Sequence, residues 1–170
     1  MFTETLERLF KINRKSVIEA ANSADLVHLP DIHAASFDRG WTDGEFDALL
    51  AQDIYFCLVA RNPGNAEKPP SGFVLVKRVA DEAEIISIAV KPSARKKGIA
   101  RQLMDAAVRQ LDSERIKKLF LEVDAENNPA IKLYTKMGFV QIASRDGYYQ
   151  RNDTAENKRS VALVMQLELG

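Results

Sequence analysis

Glu84-Ile-Ile-Ser-Ile-Ala-Val90-Lys-Pro92-Ser-Ala-Arg95-Lys-Lys-Gly98-Ile-Ala100 is the stretch on which the fold turns. Its first seven residues are nearly all apolar, the pattern of a central strand covered on both faces. Pro92 ends the strand, and Gly98 opens a helix running to about Leu111, with Ala100, Leu103, Met104, Ala107, Val108 and Leu111 on one stripe. A strand, a tight charged turn and a helix in that order gather backbone N–H groups at the positive end of the helix, where phosphates bind. Gly98 leaves room for a ligand to approach the backbone, and Arg95, Lys96, Lys97 and Arg101 add local positive charge. A charged loop between strand and helix is also commonly just solvated. The spacing matches neither the Walker pattern nor the dinucleotide G-x-G-x-x-G fingerprint.

Outward from this unit, Ser16–Ala20 reads as a first strand, and Asn22 or Ser23 caps a helix to about Ser36 with Leu26, Leu29 and Ile32 on its core face, interrupted by Pro30. The loop Phe37-Asp-Arg-Gly-Trp41 leads to a second helix with Thr42 and Glu45 at capping-box spacing and Phe46, Leu49 and Leu50 on its apolar side. Tyr55–Arg61 and Ser71–Val79 read as strands joined by a mobile Pro/Gly-rich surface connection over 62–70. Downstream, Lys118–Val123 is a strand, Asn127 or Asn128 caps a helix with Pro129 near its start, and Gly138 ends it. Phe139–Ala143 and Val161–Leu169 close the chain as strands around a polar loop holding Tyr148 and Tyr149. The order β-α-α-β-β-β-α-β-α-β-β predicts one mixed α/β (α+β) domain over 1–170, a twisted sheet of six to seven strands flanked by about four helices. Phe2, Leu6, Leu9 and Phe10 add an extra N-terminal helix over 1–14.

Composition removes several classes of function. Lysine plus arginine and aspartate plus glutamate each total 24, so nothing biases the whole molecule toward nucleic acid or an anionic membrane, and any anion site is local. No apolar stretch approaches the ~18 residues of a membrane span. The lone Cys57 lies in the apolar run Ile54–Ala60 and reads as a packed strand residue; with no partner for an internal disulfide, it fits a reducing, cytoplasmic compartment. His28 and His33, five apart, fall on different helix faces and form no metal cluster, so no metal is expected.

Two blocks resemble the GCN5-related N-acetyltransferases. One is Ile88-Ala-Val-x-Pro-x-x-Arg95-x-x-Gly98-x-Ala100; the other is Leu121-Glu-Val-x-x-x-Asn127-x-x-Ala130-Ile-x-Leu-Tyr134-x-x-x-Gly138-Phe139. The resemblance implies that family's fold, with acetyl-CoA as co-substrate. It implies that Ile88, Ala89 and Val90 pair with the pantetheine arm as an added strand would. Lys96, Lys97, Gly98, Ile99, Ala100 and Arg101 would hold the pyrophosphate, and Asn127 would touch the cofactor from the opposing strand end. Within the family the second block is most similar to the ribosomal-protein alanine acetyltransferases, which implies a protein N-terminus as acceptor, a ribosomal protein among the candidates, with Glu122 as general base and Tyr134 as general acid.

The chemistry is consistent with those roles. An α-ammonium, with a pKa of roughly 8, must lose a proton before its nitrogen attacks a carbonyl, and a carboxylate can take it directly or through water. The departing thiolate needs a proton, which a tyrosine hydroxyl can give. The same residues also have purely structural readings. Leu119, Leu121 and Val123 alternate, which leaves Glu122 on the opposite face as an ordinary strand carboxylate, and Tyr134 falls on the apolar stripe Ala130-Leu133-Tyr134-Met137. Phe37, Trp41, Tyr148 and Tyr149 are candidates for the walls of an acceptor pocket. Two departures from the alanine acetyltransferases bear on the acceptor: Asp124 where arginine usually follows Leu-Glu-Val, and Gln150 where proline usually follows the tyrosine pair. The rivals are a small-molecule amine acetyltransferase, acting on a polyamine or aminoglycoside, and a non-catalytic acyl-CoA-binding module.

Overall fold

A computed structural model describes residues 15–64, 68–150 and 159–170, with 147–150 and 159–160 by backbone alone. Its elements are β1 (Val17–Ala20), α1 (Ser23–Leu26), α2 (Leu29–Ala34), α3 (Asp43–Leu50), β2 (Tyr55–Arg61), β3 (Gly72–Val79), β4 (Glu82–Val90), a 3-10 turn (Pro92–Ala94), α4 (Ile99–Ser113), β5 (Lys118–Asp124), α5 (Asn128–Lys136), β6 (Val140–Gln150) and β7 (Arg159–Glu168). The seven strands form one sheet in the order β1-β2-β3-β4-β5-β7-β6. Every neighbouring pair is antiparallel except β4 and β5, whose parallel pairing is made possible by the α4 crossover. The expected N-terminal helix over 1–14 and the middle of the 62–70 connection lie outside the described residues.

Each face of the sheet carries its own apolar layer. On one, Leu103, Met104, Ala107 and Leu111 of α4 are buried against Val74, Val76, Ile85, Leu119, Leu121 and Val123, which is the stripe expected from the sequence. On the other, Leu29 and Ile32 of α2 and Phe46 of α3 pack on Cys57, Val59, Phe73 and Leu75. None of the described helices is long and apolar enough to cross a membrane.

Two expectations are corrected. The single helix predicted from Asn22 to Ser36 is two short ones, because Pro30 has no N–H to continue the ladder and its ring opposes the carbonyl four residues back. Asn22 and Asp25 close a capping box on α1, and Pro30 sits at the start of α2, where a missing N–H does no harm. The polar loop predicted after Ala143 is instead a continuation of β6, paired with β7 as far as Gln150↔Arg159. The sequence there shows no apolar alternation because the strand is at the sheet edge and its described side chains from Gln141 to Asp146 are exposed.

Candidate active site

The parallel pairing of β4 with β5 stops at Ile85↔Leu121, although β4 continues to Val90 and β5 to Asp124. Beyond that point the strands part, and β4 has no partner on its β5 side. A bulge marks the place. Leu75 opposes Ser87 while Val76 opposes Ile85, so Ile86 is the extra residue and the side-chain alternation of β4 is reset there. Lys91 N–H donates to Ser71 O at 2.8 Å, just past the Gly72↔Val90 register. By the alternation of an antiparallel ladder, Phe73–Ala89 is then a hydrogen-bonded pair, and the backbone groups of Ile88 and Val90 turn toward the gap. Ala89, grouped with them from the sequence, spends its backbone groups on β3. The Val90 carbonyl already accepts from Arg95 Nε at 3.0 Å.

At the mouth of the gap lies the turn into α4. Lys96 (φ +62°) and Gly98 (φ +77°) are both left-handed, and Gly98 stands at the N-cap without a side-chain acceptor. The first-turn N–H groups of Ile99, Ala100 and Arg101 therefore face outward, as an anion site requires. A Cβ on Gly98 would meet only Gln102 Nε2, at 3.9 Å, so the space above the turn is open. The basic residues divide by role. Arg95 is a strut, donating through Nη2 to Ala35 O (3.1 Å) and Ser36 Oγ (3.0 Å) and so fixing the turn against the end of α2. Lys97 Nζ bonds Ser93 O at 3.2 Å and Arg101 pairs with Asp105 at 2.8 Å, while the exposed Lys96 lies at the centre of the turn.

Glu122 and Tyr134 occupy opposite faces of β5. Leu121 and Val123 belong to the α4 side, so Glu122 projects to the α2–α3 side, where it lines an open cavity of about 580 Å³ with Lys77, Glu84, Phe120, Arg145 and Val164. Its side chain is 17% exposed; Arg145 Nη1 holds Oε1 at 2.9 Å, and Oε2 is buried with no partner. Tyr134 is buried in the α4-side core. The motif Tyr134-x-x-x-Gly138-Phe139 explains how it is held. Gly138 (φ +97°) follows α5, the N–H groups of Gly138 and Phe139 bond Thr135 O and Tyr134 O at 3.0 Å, and the Phe139 ring packs on Tyr134 at 5.8 Å, a Schellman ending with its apolar contact. Asn127 caps α5, its Oδ1 accepting from Ala130 N–H at 3.3 Å, which leaves the amide NH₂ to reach a ligand.

The aromatic residues of the 37–41 loop are organised by a histidine. His33 stacks between Phe37 (4.4 Å) and Trp41 (4.7 Å), meets Phe46 edge-on, and accepts the Trp41 N–H at Nδ1. Burial, opposed in part by the charge of Glu45, pushes its pKa down to about 4, so it is a neutral core residue. Arg95 ties the start of this loop to the cofactor-side turn. Tyr148 and Tyr149 stand on β6 rather than on a loop, at positions described by backbone alone. Burial, and after it the charge of Asp25, pushes the Cys57 thiol up to about 12, which removes it as a nucleophile. Among the described residues no His, Cys, Asp or Glu cluster suits a metal.

Two residues at this site had no signal in the sequence. Arg145 reaches Glu122 only because β6 extends beyond Ala143, and Ser87 stands out only through its place beside the bulge.

The acetyltransferase (GNAT) family model matches residues 26–139. A Bacillus subtilis relative with the provisional name ribosomal protein bS18-alanine N-acetyltransferase is 31% identical over 139 residues, 81% of this chain and 89% of the relative. The Escherichia coli K12 ribosomal protein bS18-alanine N-acetyltransferase is 33% identical over 97 residues, 57% of this chain and 66% of its own. Among solved structures, the ribosomal-protein-S18-alanine N-acetyltransferase from Escherichia coli superposes with a TM-score of 0.80 at 26% identity, covering 91% of this chain and 94% of its own. Arabidopsis thaliana NAA60 in complex with acetyl-CoA superposes with a TM-score of 0.75 at 23% identity over 90% and 98%, a likeness of fold.

Proposed function

This chain belongs to the acetyltransferase (GNAT) family, and from that premise we propose that it transfers the acetyl group of acetyl-CoA to the α-amino group of a protein N-terminus by direct attack. The observation that carries the proposal is the parting of β4 and β5 after Ile85↔Leu121, with an amide-rich helix start at its mouth and Glu122 and Tyr134 on its two sides. Ile88 and Val90 offer backbone groups to the amides of the pantetheine arm. Lys96–Arg101 receive the pyrophosphate, and Asn127 donates from the opposing strand end. The base stands on the acceptor side and the acid on the other, as a thioester held in the gap would require. Glu122 takes a proton from the ammonium, directly or through water, and the nitrogen lone pair attacks the carbonyl carbon. When the C–S bond breaks, its electron pair leaves on sulfur, the Tyr134 hydroxyl supplies the proton, and the attached nitrogen releases its surplus proton to water.

The relatives named as bS18-alanine acetyltransferases support a small first residue on the acceptor, and a ribosomal protein N-terminus is the first candidate. The Phe37–Trp41 loop forms one wall for that peptide, and the β6 segment that carries Tyr148 and Tyr149 is the candidate for another. Asp124, unusual among the alanine enzymes, accepts the Glu126 N–H at Oδ1 at 2.8 Å and so shapes the turn into α5. A small polyamine is the second reading, favoured by Asp81, Glu82 and Glu84 lining the cavity beside Glu122, although Lys77 and Arg145 line it too.

Mass spectrometry of peptides differing only in their first residue, each with and without an internal lysine, beside spermidine and an aminoglycoside, tests both readings. Acetylation of the α-amine, strongest with alanine first, is the expected result. Transfer only to lysine side chains or polyamines overturns the N-terminal acceptor, and no transfer to any amine overturns the activity.

A further inference from the structure

Among the described residues, two buried side-chain polar atoms lack a hydrogen-bond partner: Ser87 Oγ and Glu122 Oε2. They come from different strands, and the register brings those strands side by side where the two residues stand. Continuing the parallel register Glu84↔Phe120, Ile85↔Leu121 by one step sets Glu122 opposite the bulged Ile86-Ser87 pair, at the point where the strands part. They also share a face. Directly opposed residues of an antiparallel pair project to the same side, and Leu75, opposite Ser87, packs in the α2–α3 layer. Glu122 projects to that side as well, since Leu121 and Val123 are in the α4 core. Ser87 is only 6% exposed. A buried hydroxyl without a partner is destabilising, and one kept where two strands part is placed to receive a ligand.

The chemistry of the pair selects the ligand. An ionised carboxylate oxygen only accepts, and a serine oxygen accepts as well as donates. Two acceptors at one point suit a nitrogen carrying several N–H bonds and reject a carboxylate or phosphate. We propose that Ser87 is a further residue of the acceptor site, its hydroxyl oxygen receiving one N–H of the incoming amine while Glu122 Oε2 receives another. Arg145, whose side chain is 60% exposed, occupies the other oxygen of Glu122 and marks the cavity side from which a cationic group arrives. Glu122 takes the proton on the N–H···Oε2 bond before the N–C bond forms. The N–H···Oγ bond persists and holds the nitrogen at the gap while it turns the freed lone pair from Oε2 to the carbonyl carbon, and the N–H proton that the amide does not keep passes to water as the C–S bond breaks. The C–S electron pair leaves on sulfur, which takes its proton from Tyr134. Ser87 neither gains nor loses a proton.

This inference rests on the acetyl transfer proposed above, and its test separates the two. Ser87→Ala and Ser87→Thr are made in the full chain and compared with the parent for kcat and KM toward the acceptor peptide, acetyl-CoA affinity by calorimetry, and thermal midpoint. A residue kept for packing alone loses activity only as far as the fold loosens. Ser87→Ala is expected to hold or raise the midpoint, because it removes an orphaned hydroxyl, to bind acetyl-CoA as the parent does, and to lower kcat by roughly 10- to 100-fold, the scale of a misplaced nucleophile. Ser87→Thr, which keeps the hydroxyl, is expected to recover kcat in part. Parental kcat and KM in Ser87→Ala, or a fall in kcat matched by a fall in midpoint and not relieved by Ser87→Thr, overturns the role of Ser87 and leaves the transferase intact. A parent chain that acetylates no amine overturns both.

Discussion

Glu122 has one carboxylate oxygen held by Arg145 and the other buried without a partner, an arrangement that fixes the side chain while leaving a free acceptor. Replacing Glu122 by Gln keeps the shape and removes the proposed base; Tyr134→Phe keeps the ring packed on Phe139 and removes the proposed acid. Each variant is expected to bind acetyl-CoA normally and to lose turnover by ~10²–10⁴-fold in a steady-state assay. His33 makes a different contribution. Its pKa near 4 in the folded chain stands below the ordinary 6.5, so between those values the unfolded chain binds more proton than the folded one. Stability is then complete above about pH 6.5 and declines as pH falls toward 4, with His33 accounting for something on the order of 1–3 kcal/mol of the loss. Urea midpoints at pH 7.5 and 4.5 should differ less in a His33→Phe variant than in the parent.

The turn between β4 and α4 works as a unit because its backbone, not its charges, defines the proposed anion site. Two left-handed residues, Lys96 and Gly98, fold it so that the first N–H groups of α4 face one point. At Gly98 the open space lies on the ligand side, with nothing nearer a Cβ than Gln102 Nε2. Gly98→Trp therefore fills the anion site rather than the core. It is expected to leave the fold cooperative by circular dichroism and to weaken CoA binding in calorimetry at least tenfold; unchanged affinity in a folded variant would remove this turn as the pyrophosphate site. Gly138, by contrast, serves the element that carries Tyr134. A Cβ there would meet Leu167 Cδ1 at 3.3 Å on a backbone with φ +97°, so its role is to end α5 and return the chain to β6.

At the scale of the molecule, the edge of the sheet is tied down by one buried cation. Arg61, on β2, pairs with Asp25 on α1 and with Glu19 on β1, and donates to Lys68 O at 3.0 Å in the 62–70 connection. Its side chain is 6% exposed and that of Asp25 3%. Breaking such a buried pair strands the remaining charge, so Arg61→Ala should cost about 3–5 kcal/mol in chemical denaturation, with β1 and α1 loosened together. Arg61→Lys should recover little, because an ammonium lacks the planar fork that reaches several acceptors at once.

The sequence by itself determined whatever depends on residues a few places apart: the capping box at Thr42, a helix cap at Asn22 or Ser23 and another at Asn127 or Asn128, the apolar stripe of α4, the Gly138 ending, and the order of strand, turn and helix around Gly98. It also placed Cys57 among packed residues, since it lies in a run of apolar neighbours, whereas the burial of His33 came only with the structure. Only the tertiary structure decided where β4 and β5 part, that Ile86 is an extra residue, that β6 runs on to Gln150, that Arg145 meets Glu122, and that Ser87 and Glu122 lie on one face beside the gap. These are matters of register between strands distant in the chain. A one-residue slip in pairing moves a side chain to the other face and leaves the local pattern of each strand unchanged, so the pattern alone cannot report it.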